Sequence, residues 1–155
     1  VLGIMGSPRI GGNTDILLDA ALKGATGVGA KVEKLSVARL EIAPCRECYV
    51  CRAEGICAIR DDMDEAGKKL LAADRVIIAS PIFFYGLSGQ LKALIDRGQA
   101  YWVRRYELGQ KMGEPGCKGA FIGVGATSGK NLFNGVVLTV RYFFKAFDIA
   151  YDGSP

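Results

Sequence analysis

Four cysteines, Cys45, Cys48, Cys51 and Cys57, stand in the pattern C-x2-C-x2-C-x5-C, and no histidine occurs anywhere in the 155-residue chain. The second fact limits the first. Without imidazole there is no Ser-His-Asp or Cys-His nucleophile pair, no His-ligated zinc and no histidine general base. Three thiols at intervals of three residues can wrap a compact cluster, and a fourth closes it a short turn later. Structural zinc draws on two separated C-x2-C pairs or on mixed Cys/His ligands, and this run offers neither. A cubane-type iron-sulfur site is therefore favoured over zinc and over four unliganded thiols in a loop. The fifth cysteine, Cys117, stands apart from the run and reads as a thiol without a role.

Three further segments carry ligand chemistry. Gly6-Ser7-Pro8-Arg9-Ile10-Gly11-Gly12-Asn13-Thr14 combines glycines, which let backbone approach an anion, with hydroxyl, amide and guanidinium donors ahead of a helix N-terminus. It is neither GxxxxGK[ST] nor GxGxxG, so a Walker or Rossmann site is disfavoured and a monophosphate fits better. The alternative is a glycine-rich turn with an Asn or Thr cap. Ser80-Pro81-Ile82-Phe83-Phe84-Tyr85-Gly86 suits the edge of a flat conjugated ring, unless Phe83 and Phe84 fold back into the core. Gly123-Val124-Gly125-Ala126-Thr127-Ser128-Gly129-Lys130 leaves room for a ring and its polar rim, or is an ordinary helix start.

Such loops need strands to present them. The apolar runs Val1–Met5, Val32–Val37, Arg75–Ala79 and Ala120–Val124 read as strands, two of them as strands buried on both faces. Between them the apolar spacing predicts helices over Asn13–Gly24, from Asp62 with Glu65 as a capping box, over Leu87–Trp102, and over Asn131–Phe147. The cysteine segment is too irregular for either element. Strict alternation of strand and helix predicts an α/β fold, an open parallel sheet with helices on both faces, whose ligand crevice lies beyond the carboxyl ends of the strands. The chain reads as one domain, 1–155, with the cysteine loop 44–61 inserted. Asp148–Tyr151 begins a fifth strand with no covering helix after it, so the C-terminal strand and helix are expected to be truncated or missing, and the first strand to lack a residue or two.

Composition bounds the function. Half the residues are hydrophobic and 23% are charged, as in a globular domain. Lys plus Arg exceed Asp plus Glu by 20 to 16, a net charge of +4. That is mildly basic and far from the clustered charge of a nucleic-acid binder. The basic-aromatic stretch Tyr101-Trp102-Val103-Arg104-Arg105-Tyr106 reads as a helix end, and no nucleic-acid partner is expected. No apolar run approaches the ~20 residues of a membrane span, and the N-terminus has no signal-peptide pattern. The expectation is a cytoplasmic protein with reduced thiols, for which a metal or redox role of the cysteines comes before a disulfide.

Taken together, Gly6-Ser7-Pro8-Arg9 with Gly12-Asn13-Thr14, Pro44-Cys45 through Cys57, Asp61-Asp62-Met63, Ser80-Pro81-Ile82-Phe83, Gln90 through Arg97 and Gly119–Gly129 resemble the iron-sulfur flavoproteins, in the NADPH-dependent FMN reductase branch of the flavodoxin-like fold. The resemblance implies a three-layer sheet of order 2-1-3-4-5 and an FMN whose phosphate meets Ser7, Arg9, Gly12, Asn13 and Thr14. It implies an isoalloxazine against Pro81, Ile82, Phe83 and Phe84, with Ala126, Thr127 and Gly129 at another edge. Cys45, Cys48, Cys51 and Cys57 would hold a [4Fe-4S] cluster. No side chain is assigned as catalytic, because the cofactors carry the chemistry. The implied activity is FMN- and cluster-dependent electron transfer, in a homo-dimer or homo-tetramer with a ferredoxin-like donor. A cluster-free NAD(P)H-dependent FMN or quinone reductase is the alternative, and a zinc-stapled interaction module a third reading.

Overall fold

The computed structural model describes residues 1–153. Its core is a five-stranded, all-parallel sheet of order β2-β1-β3-β4-β5. β1 (Leu2–Met5) is buried along its whole length, as a strand flanked by neighbours and covered on both faces must be. β2 (Glu33–Ser36) is a mostly exposed edge strand. β3 (Arg75–Pro81) and β4 (Lys118–Val124) complete the centre, and β5 (Ala150–Tyr151) pairs with the start of β4 over two residues. The doubly wound order predicted from the resemblance is therefore the order found.

Alternation of side chains along the strands divides the core in two. Leu2, Ile4, Val76 and Ile78 face α3 (Met63–Ala72), α4 (Gly89–Arg97) and α6 (Asn134–Ala146), joining Leu70, Leu91, Leu94, Val140, Phe143, Phe144 and Phe147. Met5 and Ala79 face the other way, onto Leu18 and Leu22 of α1 (Asn13–Gly27). Ile77 and Ile122 lie on this second face and are only half-buried. Cys117 is buried in the larger cluster, and burial pushes its thiol up, as fits a packing residue.

Several boundaries differ from the sequence expectation. The helix expected to end at Gly24 runs to Gly27, with both glycines exposed on its surface. The helix expected over Leu87–Trp102 is broken: α4 stops at Arg97, and α5 (Gln99–Trp102) follows, passing into a wide turn over Val103–Glu107. Gly98 sits at the break. A Cβ there would lie 3.0 Å from the Phe143 ring and 2.8 Å from the Ile95 carbonyl, so α6 crosses where the side chain is missing. The Asp62/Glu65 capping box does not form. Asp62 accepts instead from the Glu41 N–H (2.8 Å), and the neighbouring Asp61 Oδ1 takes the Met63 N–H at 3.0 Å. Within the cysteine segment, Cys51–Glu54 forms one helical turn, α2, which the irregular period concealed. The fifth strand is shorter than expected, and a covering helix after it would fall beyond the described residues.

Candidate cofactor-binding loops and cysteine cavity

The parallel register places the three ligand loops together at the carboxyl ends of the strands. Met5 is level with Ala79, and Pro81 with Val124, so the chain leaves β1, β3 and β4 side by side. Ser88 fastens two of these exits. Fully buried, it donates from Oγ to the Gly6 carbonyl, accepts from the Leu91 N–H (3.2 Å) as the cap of α4, and points its own N–H at Ser80 Oγ (3.4 Å). Sequence reasoning passed over Ser88, although a serine three residues before Leu91 carries an N-cap signal.

In the first loop Ser7, Gly12 and Thr14 are buried, whereas Arg9 and Asn13 are exposed. Ser7 Oγ accepts from the Arg9 N–H at 3.1 Å, curling the loop back on itself. Gly12 occupies the N-cap of α1, and no side chain caps that end. The Asn or Thr cap of the alternative reading is therefore absent, since both residues lie inside the helix. A helix N-terminus left open at a strand exit attracts negative charge. Below it, Asp15 is buried and takes the Gly11 N–H at 2.7 Å. The Lys34 ammonium beside it, and then that N–H, hold its carboxyl below the ordinary carboxylate range despite burial. Burial pushes Lys34 down, but its hydrogen bonds to Asp15 and Asp19 outweigh that and leave it raised.

The second loop keeps its aromatics outside the core. Pro81 and Ile82 are half-buried, Phe83 is 50% exposed and Phe84 fully exposed. Phe83 and Gly86 exchange both backbone hydrogen bonds (2.9 and 2.8 Å), closing a two-residue turn in which Phe84 (φ 50°) and Tyr85 (φ 62°) are both left-handed. Such turns favour Asn and Gly; two aromatics there store backbone strain, which concentrates at functional sites. In the third loop Ala126 and Thr127 are exposed and Gly129 half-buried. Tyr85 lies over Gly129 so closely that a Cβ would sit 2.3 Å from its hydroxyl. The second and third loops thus touch.

The four cysteines of the run all line one cavity of about 460 Å³, whose wall also includes Arg97, Ala100 and Val103. Cys45 and Cys48 are exposed, Cys51 and Cys57 half-buried, and burial pushes the Cys51 thiol up. Glu47 (φ 53°) and Tyr49 (φ 58°), interleaved with the first cysteines, are left-handed. Among the described residues no three Cys, Asp or Glu side chains gather around one point as the ligands of a single metal ion would. Arg97 braces both ends of the loop: Nη1 donates to the Ala43 carbonyl (3.0 Å) and Asp61 (2.6 Å), and Nη2 to the Ile59 carbonyl (2.8 Å). Burial raises Asp61, but its bonds to Arg97 and to the Ala43 and Met63 N–H groups overcome this and leave its carboxyl depressed. This brace has no local sequence signal, because its halves lie 36 residues apart.

No helix among the described residues is long and apolar enough to cross a membrane. The family model for NADPH-dependent FMN reductase matches residues 1–147. The chain is 42% identical over 120 residues to an iron-sulfur flavoprotein of Methanocaldococcus jannaschii, covering 77% of this chain and 62% of that one. It is 39% identical over 113 residues to an iron-sulfur flavoprotein of Methanosarcina thermophila, covering 73% and 59%. It therefore spans about 60% of the length of these relatives. Among solved structures, the Trp repressor binding protein of Bacillus subtilis shares the fold with a TM-score of 0.64 at 24% identity, over 98% of this chain and 82% of that one. The NAD(P)H:quinone oxidoreductase of Methanothermobacter marburgensis does so with 0.66 at 14%, over 98% and 82%. With its sheet order and nearly its whole length matched, this chain belongs to the NADPH-dependent FMN reductase family.

Proposed function

We propose that the chain is an FMN- and [4Fe-4S]-dependent oxidoreductase that moves electrons between the two centres, working in the cytoplasm as a homo-dimer or homo-tetramer with NAD(P)H or a ferredoxin-like protein as donor. The observation that carries it is the four cysteines lining one cavity. That space, lined by an all-sulfur donor set, suits a cluster held by four thiolates. The relatives named iron-sulfur flavoproteins support the same reading.

Ser7, Arg9, Gly12, Asn13 and Thr14 hold the FMN phosphate, the backbone N–H groups at the open end of α1 supplying donors and Arg9 the countercharge. Pro81, Ile82, Phe83 and Phe84 receive the isoalloxazine, with Ala126, Thr127 and Gly129 at its edge. When bound, FMN supplies hydride and single-electron transfer and the cluster supplies single-electron transfer, which gives a chain without histidine its redox chemistry. The strained turn at Phe84 and Tyr85 presents apolar surface that excludes water from the flavin.

Anaerobic reconstitution with FMN, iron and sulfide tests this. Flavin bands over a broad absorption that bleaches on reduction, with about four irons per chain, are expected from four cysteine ligands. A colourless protein carrying zinc and no flavin overturns it. The cluster-free NAD(P)H-dependent FMN or quinone reductase remains the second reading, favoured by the dispersal of the thiols. Rapid bleaching of an iron-free FMN protein by NADPH would select it.

A further inference from the structure

We propose that Arg97 is a positioning residue for the cluster: its Nε–H donates a hydrogen bond to a cluster sulfur, and its buried charge favours the reduced state. The proposal rests on the [4Fe-4S] reading of the cysteine loop. Arg97 is 2% exposed and lines the cavity shared by the four cysteines. Four of its five N–H groups belong to the two terminal nitrogens, which are engaged with Ala43, Ile59 and Asp61. The fifth, on Nε, is buried and makes no hydrogen bond of normal geometry. Burying an unpaired donor on a cation is unfavourable, so a chain that retains one has a use for it when the cavity is filled. Besides Asp61, the side chain that approaches the guanidinium is Cys57, which lines the same cavity, and Arg97 is the one guanidinium among the described residues that is both fully buried and on this wall.

The chemistry matches that unused donor. Reduction of a cluster held by four thiolates adds one electron to an already negative group. A hydrogen bond to its sulfurs and a fixed positive charge beside it both make that addition easier. Asp61 tempers the effect by pairing with the other side of the guanidinium.

The test uses the reconstituted holoprotein carrying arginine labelled with 15N at Nε alone, reduced by dithionite and examined by pulsed EPR. A weak 15N coupling to the reduced cluster is expected in the wild type and absent in Arg97→Lys, which keeps a cation but has no Nε–H. In an EPR-monitored redox titration, Arg97→Lys should make reduction about tenfold less favourable, equivalent to about 59 mV for one electron. A bracing role alone would lower iron content in Arg97→Lys while leaving the potential of the loaded fraction unmoved. That result, or a wild type without 15N coupling, overturns the assignment. A wild type that takes up FMN but no iron overturns the cluster reading as well, and so distinguishes the two failures.

Discussion

At the scale of single residues, the candidate phosphate loop rests on few side chains, and Arg9 is the most separable of them. It is exposed and contributes no packing to either core cluster, so Arg9→Ala should leave the circular dichroism spectrum unchanged. A hydrogen bond to a charged partner is worth about 1.5–3 kcal/mol, so FMN affinity should fall about tenfold or more, read by flavin fluorescence titration. Unchanged affinity would remove Arg9 from the site. The cysteines were legible in sequence because their chemistry is local: one run of 13 residues carries all four. Ser88 and the Asp61–Arg97 brace were not, because each acquires its meaning only when segments distant in sequence meet. Serine, aspartate and arginine are individually too common to announce that.

At the scale of elements, the strand periods predicted the sheet and its loops, and the errors fall where tertiary packing overrode local pattern. The break at Gly98 is the clearest, since a continuous apolar stripe from Leu87 to Trp102 cannot reveal that Phe143 of α6 occupies the space of a missing Cβ. Gly98→Ala should lower unfolding stability by about 1–3 kcal/mol, the ordinary penalty of overpacking, measured by urea denaturation. The second loop predicts the opposite sign. Phe84 is fully exposed and left-handed, so it contributes strain without burial. Phe84→Asn, better tolerated in that conformation, should raise stability by about 0.5–1 kcal/mol. If the turn receives the flavin ring, the same variant should weaken FMN binding. A gain in stability with no loss of affinity would leave the strain without a functional purpose.

At the scale of the whole molecule, the ligand loops hang from the carboxyl ends of the strands but are braced by two separate carboxylates, Asp15 beneath the first loop and Asp61 beneath the cysteine loop. The sheet was legible from alternation alone, whereas these braces depend on β2 and the cysteine loop folding back over it. Lys34 of β2 chiefly holds Asp15 below the ordinary range, while Asp61 is pushed up by burial and pulled further down by Arg97 and two N–H groups. A carboxylate depressed in the folded state stabilises it fully above the unfolded value of about 3.9 and loses that contribution as pH falls through the folded value. Stability carried by these two groups should therefore be flat from pH 7 to about pH 5 and decline below about pH 4. Asp61→Asn leaves the buried Arg97 without its countercharge, so it should cost about 3 kcal/mol at neutral pH. It should also make the acid decline shallower, because one of the two titrating braces is gone. Urea midpoints for both proteins between pH 3 and pH 7 decide the matter: parallel curves would show that Asp61 does not couple protonation to folding, and convergence toward acid pH would show that it does.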